Sequence, residues 1–142
     1  MRLTDVPGAV GERWGPTDWV TVTPAQVADY RAATGDPGPP GADDADGADG
    51  ADTVPPLMVL ALTNLFLPQL FTVDDASMGV NYGTGPARFP AVAPPGRLRA
   101  TAELVACDEI KGGLQTTIRI TVEAEGVDDP VCVVDSLSRF FA

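Results

Sequence analysis

Two runs of alternating residues constrain this chain more than anything else in it. In 97–105, Leu98, Ala100, Ala102 and Leu104 alternate with Arg97, Arg99, Thr101 and Glu103. In 114–124, Leu114, Thr116, Ile118, Ile120, Val122 and Ala124 alternate with Gln115, Thr117, Arg119, Thr121 and Glu123. Successive side chains of a strand point to opposite faces, so a period of two predicts strands with one face buried. Lys111-Gly112-Gly113 reads as the hairpin turn between them. Gly126–Pro130 turns the chain again, into a last strand over 131–141. An antiparallel meander with one apolar face needs a second layer to cover that face.

The cover is predicted over Leu57–Leu67, LMVLALTNLFL, which is apolar on nearly every side. A helix of that kind is expected to be surrounded by protein, and Pro68 to end or kink it. Upstream, Trp19–Val22 reads as a short strand, and Thr23-Pro24-Ala25-Gln26 starts a first helix. Thr23 suits the N-cap, Pro24 the first helical position, and Gln26 completes a capping box. This helix is expected to reach about Ala33, with Val27 and Tyr30 on its inner side and Gly35 as its stop. One helix wrapped by one curved sheet, an α+β design, accommodates all of these elements.

At 142 residues the chain has the length of one domain, expected to span 1–142. Within it, 37–52 reads PGPPGADDADGADGAD, without hydrophobic period or aromatic residues. A mobile acidic loop is expected over 37–54. Asp44-Ala45-Asp46-Gly47 has some character of a cation loop. It lacks the third oxygen ligand before the glycine and the closing glutamate, so a solvated loop is the better reading, with no metal. A net charge of −11 repels nucleic acid and anionic membranes. No apolar run approaches the ~20 residues that cross a bilayer. The start, MRLTDVPGAVGERWG, has no apolar signal core, which implies a cytoplasmic protein. Cys107 and Cys132 lie in strand-like stretches and read as buried free thiols.

The motifs carry a resemblance over roughly residues 14–142. WVTVTPAQVADYRAATGD, MGVNYGTGPARFPAVAPPGRLRATAEL and VEAEGVDDPVCVVDSLSRFF follow one another in that order. Together they resemble the MaoC-like and NodN-like acyl dehydratases. The resemblance implies a hotdog fold, a long central helix wrapped by an antiparallel sheet. It also implies dimers joined edge to edge, with active sites near the interface. The implied reaction is reversible addition of water to a 2-enoyl thioester, on coenzyme A or acyl carrier protein, without a cofactor.

In that family a catalytic histidine follows the Gly-Asp by about five residues. Here Gly35-Asp36 is present, Gly41 stands at the histidine position, and the chain contains no histidine. The backbone N–H that holds the enolate oxygen is expected at the start of the central helix, where this chain has Pro55-Pro56 and proline has no N–H. The candidate catalytic residues are therefore Asp36 and Tyr82, and the candidate substrate-binding residues Asn64, Asn81 and Arg88. Each also has a structural reading. Asp36 can make an Asx-turn, Tyr82 can pack, and Arg88 can form an ion pair. Thr63 can bond back to its helix, whereas Asn64 needs a partner if buried.

Two functions stand open. One is an enzyme acting on an acyl-thioester or polyketide-derived substrate by isomerisation, cyclisation or conjugate addition. The other is the non-catalytic subunit of a heterodimeric (R)-3-hydroxyacyl-thioester dehydratase. A module that binds an acyl ligand without reacting is a further alternative.

Overall fold

A computed structural model describes residues 1–38 and 53–142. A 3-10 helix, Leu3–Ala9, precedes the short strands β1 (Arg13–Trp14) and β2 (Val20–Val22). Helices α1 (Pro24–Thr34) and α2 (Pro56–Leu70) follow, then strands β3 (Met78–Arg88), β4 (Gly96–Ile110), β5 (Gly113–Ala124) and β6 (Cys132–Phe141). All pairing is antiparallel, in the order β1-β4-β5-β6-β3, with β2 also on β4. This is the hotdog architecture, with α2 as the central helix packed on the sheet.

The alternation in the sequence is the alternation in space. Leu98, Ala100, Ala102 and Leu104 of β4 are buried, as are Leu114, Thr116, Ile118, Ile120, Val122 and Ala124 of β5. They meet Met58, Val59, Phe66 and Leu70 of α2 in one core. The outer face carries cross-strand ion pairs, Arg99–Glu123 at 3.0 Å and Arg119–Asp135 at 2.8 Å among them. The β4–β5 turn is Lys111-Gly112, and a Cβ on Gly113 would collide with the Phe140 carbonyl oxygen. Glycine is therefore required at that close approach.

Two expectations about α2 need correction. It is not enclosed on every side, because Leu57 is 62% and Leu65 45% exposed. The sheet covers one side of the helix and leaves the other open. Nor does the helix end at Pro68; it continues to Leu70. Proline inside the last turn removes one N–H, yet Phe71 N–H still closes the turn on the Leu67 carbonyl at 2.9 Å.

Helix α1 is capped as expected. Thr23 Oγ1 accepts from Gln26 N–H at 3.2 Å, and Gln26 Oε1 accepts from Thr23 N–H at 2.9 Å. Gly35 ends the helix in the left-handed region at φ 72°. Val27 is buried and Tyr30 half-buried. Both cysteines are free thiols; Cys132 is buried and Cys107 half-buried.

The two edges of the sheet differ. The β4 edge is covered by the short strands β1 and β2. Strand β3 pairs with β6 on one side and has no strand on the other among the described residues. Its register slips between Asn81 and Gly83, and again between Thr84 and Ala87, where Gly85-Pro86 lies. Met78, Val80 and Tyr82 are exposed along it.

Candidate active site

Residues at the end of α1 and the start of α2 form the first groove. Val54 bridges to Ala93, its N–H donating to the Ala93 carbonyl at 2.8 Å, and this fixes the entry to α2. Arg31, in the last turn of α1, donates from Nη2 to the Thr53 carbonyl at 3.3 Å and ties the two helix ends together. Asp36 comes immediately after the left-handed Gly35. Its Oδ1 accepts from Gly38 N–H at 2.8 Å, which closes an Asx-turn.

A cavity of about 350 Å³ lies beside it, lined by Arg31, Asp36, Val54, Pro55, Pro56 and Val92 among others. Asp36 thus borders a largely apolar groove with one carboxylate oxygen engaged in the turn. The helix start contributes little polarity. Pro55 is the N-cap without a side-chain bond, and Pro56 has no N–H. Met58 and Val59 N–H both donate to the Pro55 carbonyl, at 2.9 and 3.1 Å. Leu57 N–H is the first backbone donor of the helix.

A second groove runs between α2 and β3 over the inward row of β6. Asn81 Nδ2 donates to Asn64 Oδ1 at 2.9 Å, a bridge from strand to helix. On one side of the bridge a cavity of about 270 Å³ is bordered by Leu60, Thr63, Tyr82, Val134 and Ser136. On the other, about 310 Å³ is bordered by Leu67, Phe71, Val80, Ser138 and Phe140. Asn81 borders both. Thr63 Oγ1 donates to the Leu60 carbonyl at 2.7 Å and so stays within its helix.

The structure brings Asn64 and Asn81 together and keeps Asp36 in a different groove. The Tyr82 ring lies under the Arg139 guanidinium, with the carbon of the guanidinium 3.4 Å from the ring centroid, in cation–π contact. Arg139 Nε in turn donates to Gln115 Oε1 at 2.9 Å, so the phenol is held at the strand rather than near Asp36. Arg88 is exposed at the far end of β3, opposite Val133, without an ion pair among the described residues. Gly41, most of the acidic loop at 37–54 and the Asp44–Gly47 segment lie outside the described residues. Among those described, no cluster of three or more His, Cys, Asp or Glu could hold a metal, and no helix is long and apolar enough to cross a membrane.

Ser136, Ser138 and Arg139 were not apparent from the motifs. The signal was present nonetheless. Positions 132, 134, 136, 138 and 140 form the inward row of β6, and two of those five are hydroxyl residues where the core wants hydrocarbon.

No family model matches the chain. Among curated proteins it is 38% identical over 145 residues to 3-hydroxyacyl-thioester dehydratase Z of Mycobacterium tuberculosis, covering 99% of this chain and 96% of that protein. It is 28% identical over 141 residues to Nodulation protein N of Rhizobium leguminosarum bv. viciae, covering 92% and 85%. Among solved structures it superposes on a MaoC-like dehydratase from Rhodospirillum rubrum with a TM-score of 0.73 at 18% identity, covering 100% of this chain and 98% of that one. The HadBC (3R-hydroxyacyl-ACP dehydratase) complex from Mycobacterium tuberculosis gives a TM-score of 0.64 at 20% identity, covering 92% and 96%.

Proposed function

The chain belongs to the MaoC-like hotdog dehydratases, and from that premise we propose that it turns over an acyl thioester in the cytoplasm by chemistry that needs no imidazole. The observation that carries this reading is the Asp36 carboxylate at an apolar groove of about 350 Å³ beside the start of α2. The scaffold that would position a thioester is kept, while the histidine and the N–H of residue 56 are lost.

One carboxylate suits a reaction with one proton in flight. From a 2-enoyl thioester, Asp36 can take a proton from C4, and the electron pair moves into a dienolate whose negative charge rests on the thioester oxygen. Returning that proton to C2 gives the 3-enoyl isomer, with nothing gained or lost. Leu57 N–H is the group placed to hold the oxygen anion. Dehydration instead requires a base for the carbon-bound proton and an acid for the leaving hydroxide, and among the described residues no second carboxyl, imidazole or phenol lines the groove. Cyclisation or conjugate addition within one substrate likewise needs one base, with binding supplying the orientation.

The test is product analysis with 2-enoyl thioesters on coenzyme A and on acyl carrier protein. Isomerisation or cyclisation keeps the mass and moves the double-bond resonances; hydration adds one water. Hydration at a rate the Asp36→Asn variant does not reduce would sink the reading.

The open β3 edge favours a second reading, in which the chain is the non-catalytic half of a heterodimer. Met78, Val80 and Tyr82 are exposed along a strand whose outer edge is unpaired among the described residues, and the HadBC neighbour is a complex. On this reading the partner is a hotdog homologue that keeps its histidine. Dehydratase activity found only in the mixture of the two purified chains would select it. An active homodimer would exclude it.

A further inference from the structure

The groove between α2 and β3 has a floor that plain hydrocarbon does not explain. Inward positions of β6 pass from Val134 through Ser136 and Ser138 to Phe140. Ser138 is 3% exposed, and its Oγ has no hydrogen-bond partner. Its neighbour across β5 does not help, because Thr116 Oγ1 donates to the Ser138 carbonyl at 3.3 Å rather than to its hydroxyl. Buried hydroxyls in native cores are paired, so an orphan bordering a cavity of about 310 Å³ calls for an occupant that bonds to it. The Asn64–Asn81 bridge adds a second polar point about midway along the groove. From Leu60 to Phe71 the groove follows about 17 Å of helix at 1.5 Å per residue.

We infer that this groove selects an acyl chain bearing oxygen along its length, of polyketide type, with Ser138 as the hydrogen-bonding group at its deep end. The inference rests on the acyl-thioester reading above and specifies its substrate class. The chain lies along Leu67, Phe71 and Phe140, which take its methylenes. A hydroxyl or keto oxygen opposite Ser138 replaces the missing partner. A saturated hydrocarbon there leaves Ser138 Oγ orphaned.

Isothermal titration calorimetry of the full chain tests this, using N-acetylcysteamine thioesters of octanoate and of each monohydroxyoctanoate. At least one hydroxy isomer should bind ~3–10-fold more tightly than octanoyl, the range of one neutral hydrogen bond. Ser138→Ala should erase that preference and leave octanoyl binding unchanged or improved. Ser138→Cys keeps the volume and should weaken the preference without emptying the site. Equal binding of all the thioesters, or a preference that survives Ser138→Ala, overturns the inference and leaves the acyl-thioester reading standing. Failure of every thioester to bind overturns both.

Discussion

The sheet from β4 to β6 and the two short stretches around Asp36 and Val54–Pro56 are built on opposite principles. In the sheet each residue is fixed several times over, by ladder bonds, by burial against α2 and by cross-strand ion pairs outside. Among the described residues of the two stretches, Asp36 is held by an Asx-turn, and the start of α2 by the Val54–Ala93 bridge and the Arg31–Thr53 bond. The features lost, the histidine and the amide N–H at Pro56, both belong to this second region, where Gly35-Asp36 is what remains. Over-determined structure resists substitution because each change disturbs many contacts. A loop that presents a few side chains can lose its chemistry while the fold stays whole.

Substitutions should separate the two regions cleanly. Asp36→Asn keeps the oxygen that accepts from Gly38 N–H, so the turn and the melting temperature should hold. Turnover of the thioester should fall ~10²–10⁴-fold, and steady-state kinetics measures it. Ile118→Ala should do the reverse, costing about 2–5 kcal/mol in urea unfolding, because Ile118 is fully buried. If Ile118→Ala were silent, the over-determination of the sheet would be wrong.

Alkaline pH probes the same core. Burial pushes the Cys132 thiol up to about 11 from an ordinary value near 9, and the side chain is 0% exposed. Above pH 9 the unfolded chain loses this proton while the folded chain retains it. Stability should therefore be complete below pH 9 and drain as pH rises towards 11. Cys132→Ala should flatten that limb in unfolding curves taken at pH 8 and 10.

Thr23→Ala sharpens the boundary between the regions, since α1 belongs to the scaffold and ends at Gly35, just before Asp36. Removing the cap should cost about 1 kcal/mol and raise amide exchange along α1. The smallest effect concerns Asp75, whose carboxylate accepts from Leu3 N–H at 2.6 Å. That bond, the first cause of the shift, holds its pKa below the usual value of 3.8. Its contribution is present above that value and is lost as pH falls through the lower folded one. In acid the 3-10 helix should be the first element to exchange, as seen by NMR.

Much of the scaffold was legible because local rules and tertiary packing agree there. The alternation over 97–105 and 114–124, the Thr23–Gln26 box and the Gly35 stop each rest on a rule needing only near neighbours. The Leu3–Ala9 turn and β1 were not legible, since Val6, Ala9 and Trp14 gain their places from distant strands. The open side of α2 was hidden too, because an apolar sequence does not say which face its own sheet leaves bare. At the site, the Asx-turn of Asp36 followed from its residue type. The Asn64–Asn81 bridge and the Tyr82–Arg139 contact did not, because both join elements far apart in the chain.

The β3 edge has a consequence for how the chain avoids runaway assembly. A free strand edge recruits other strands, and stacking of that kind can continue without limit. Here the Gly85-Pro86 bulge spoils one half of the edge, and proline offers it no donor. The stretch from Met78 to Gly83 is what can still pair. Two copies, or this chain and a like-shaped one, joined there about a two-fold axis consume each other's open stretch at once. The opposite margin is already taken by β1 and β2. On such a pairing addition would stop at two, so the feature that invites a companion would also cap the number that can join.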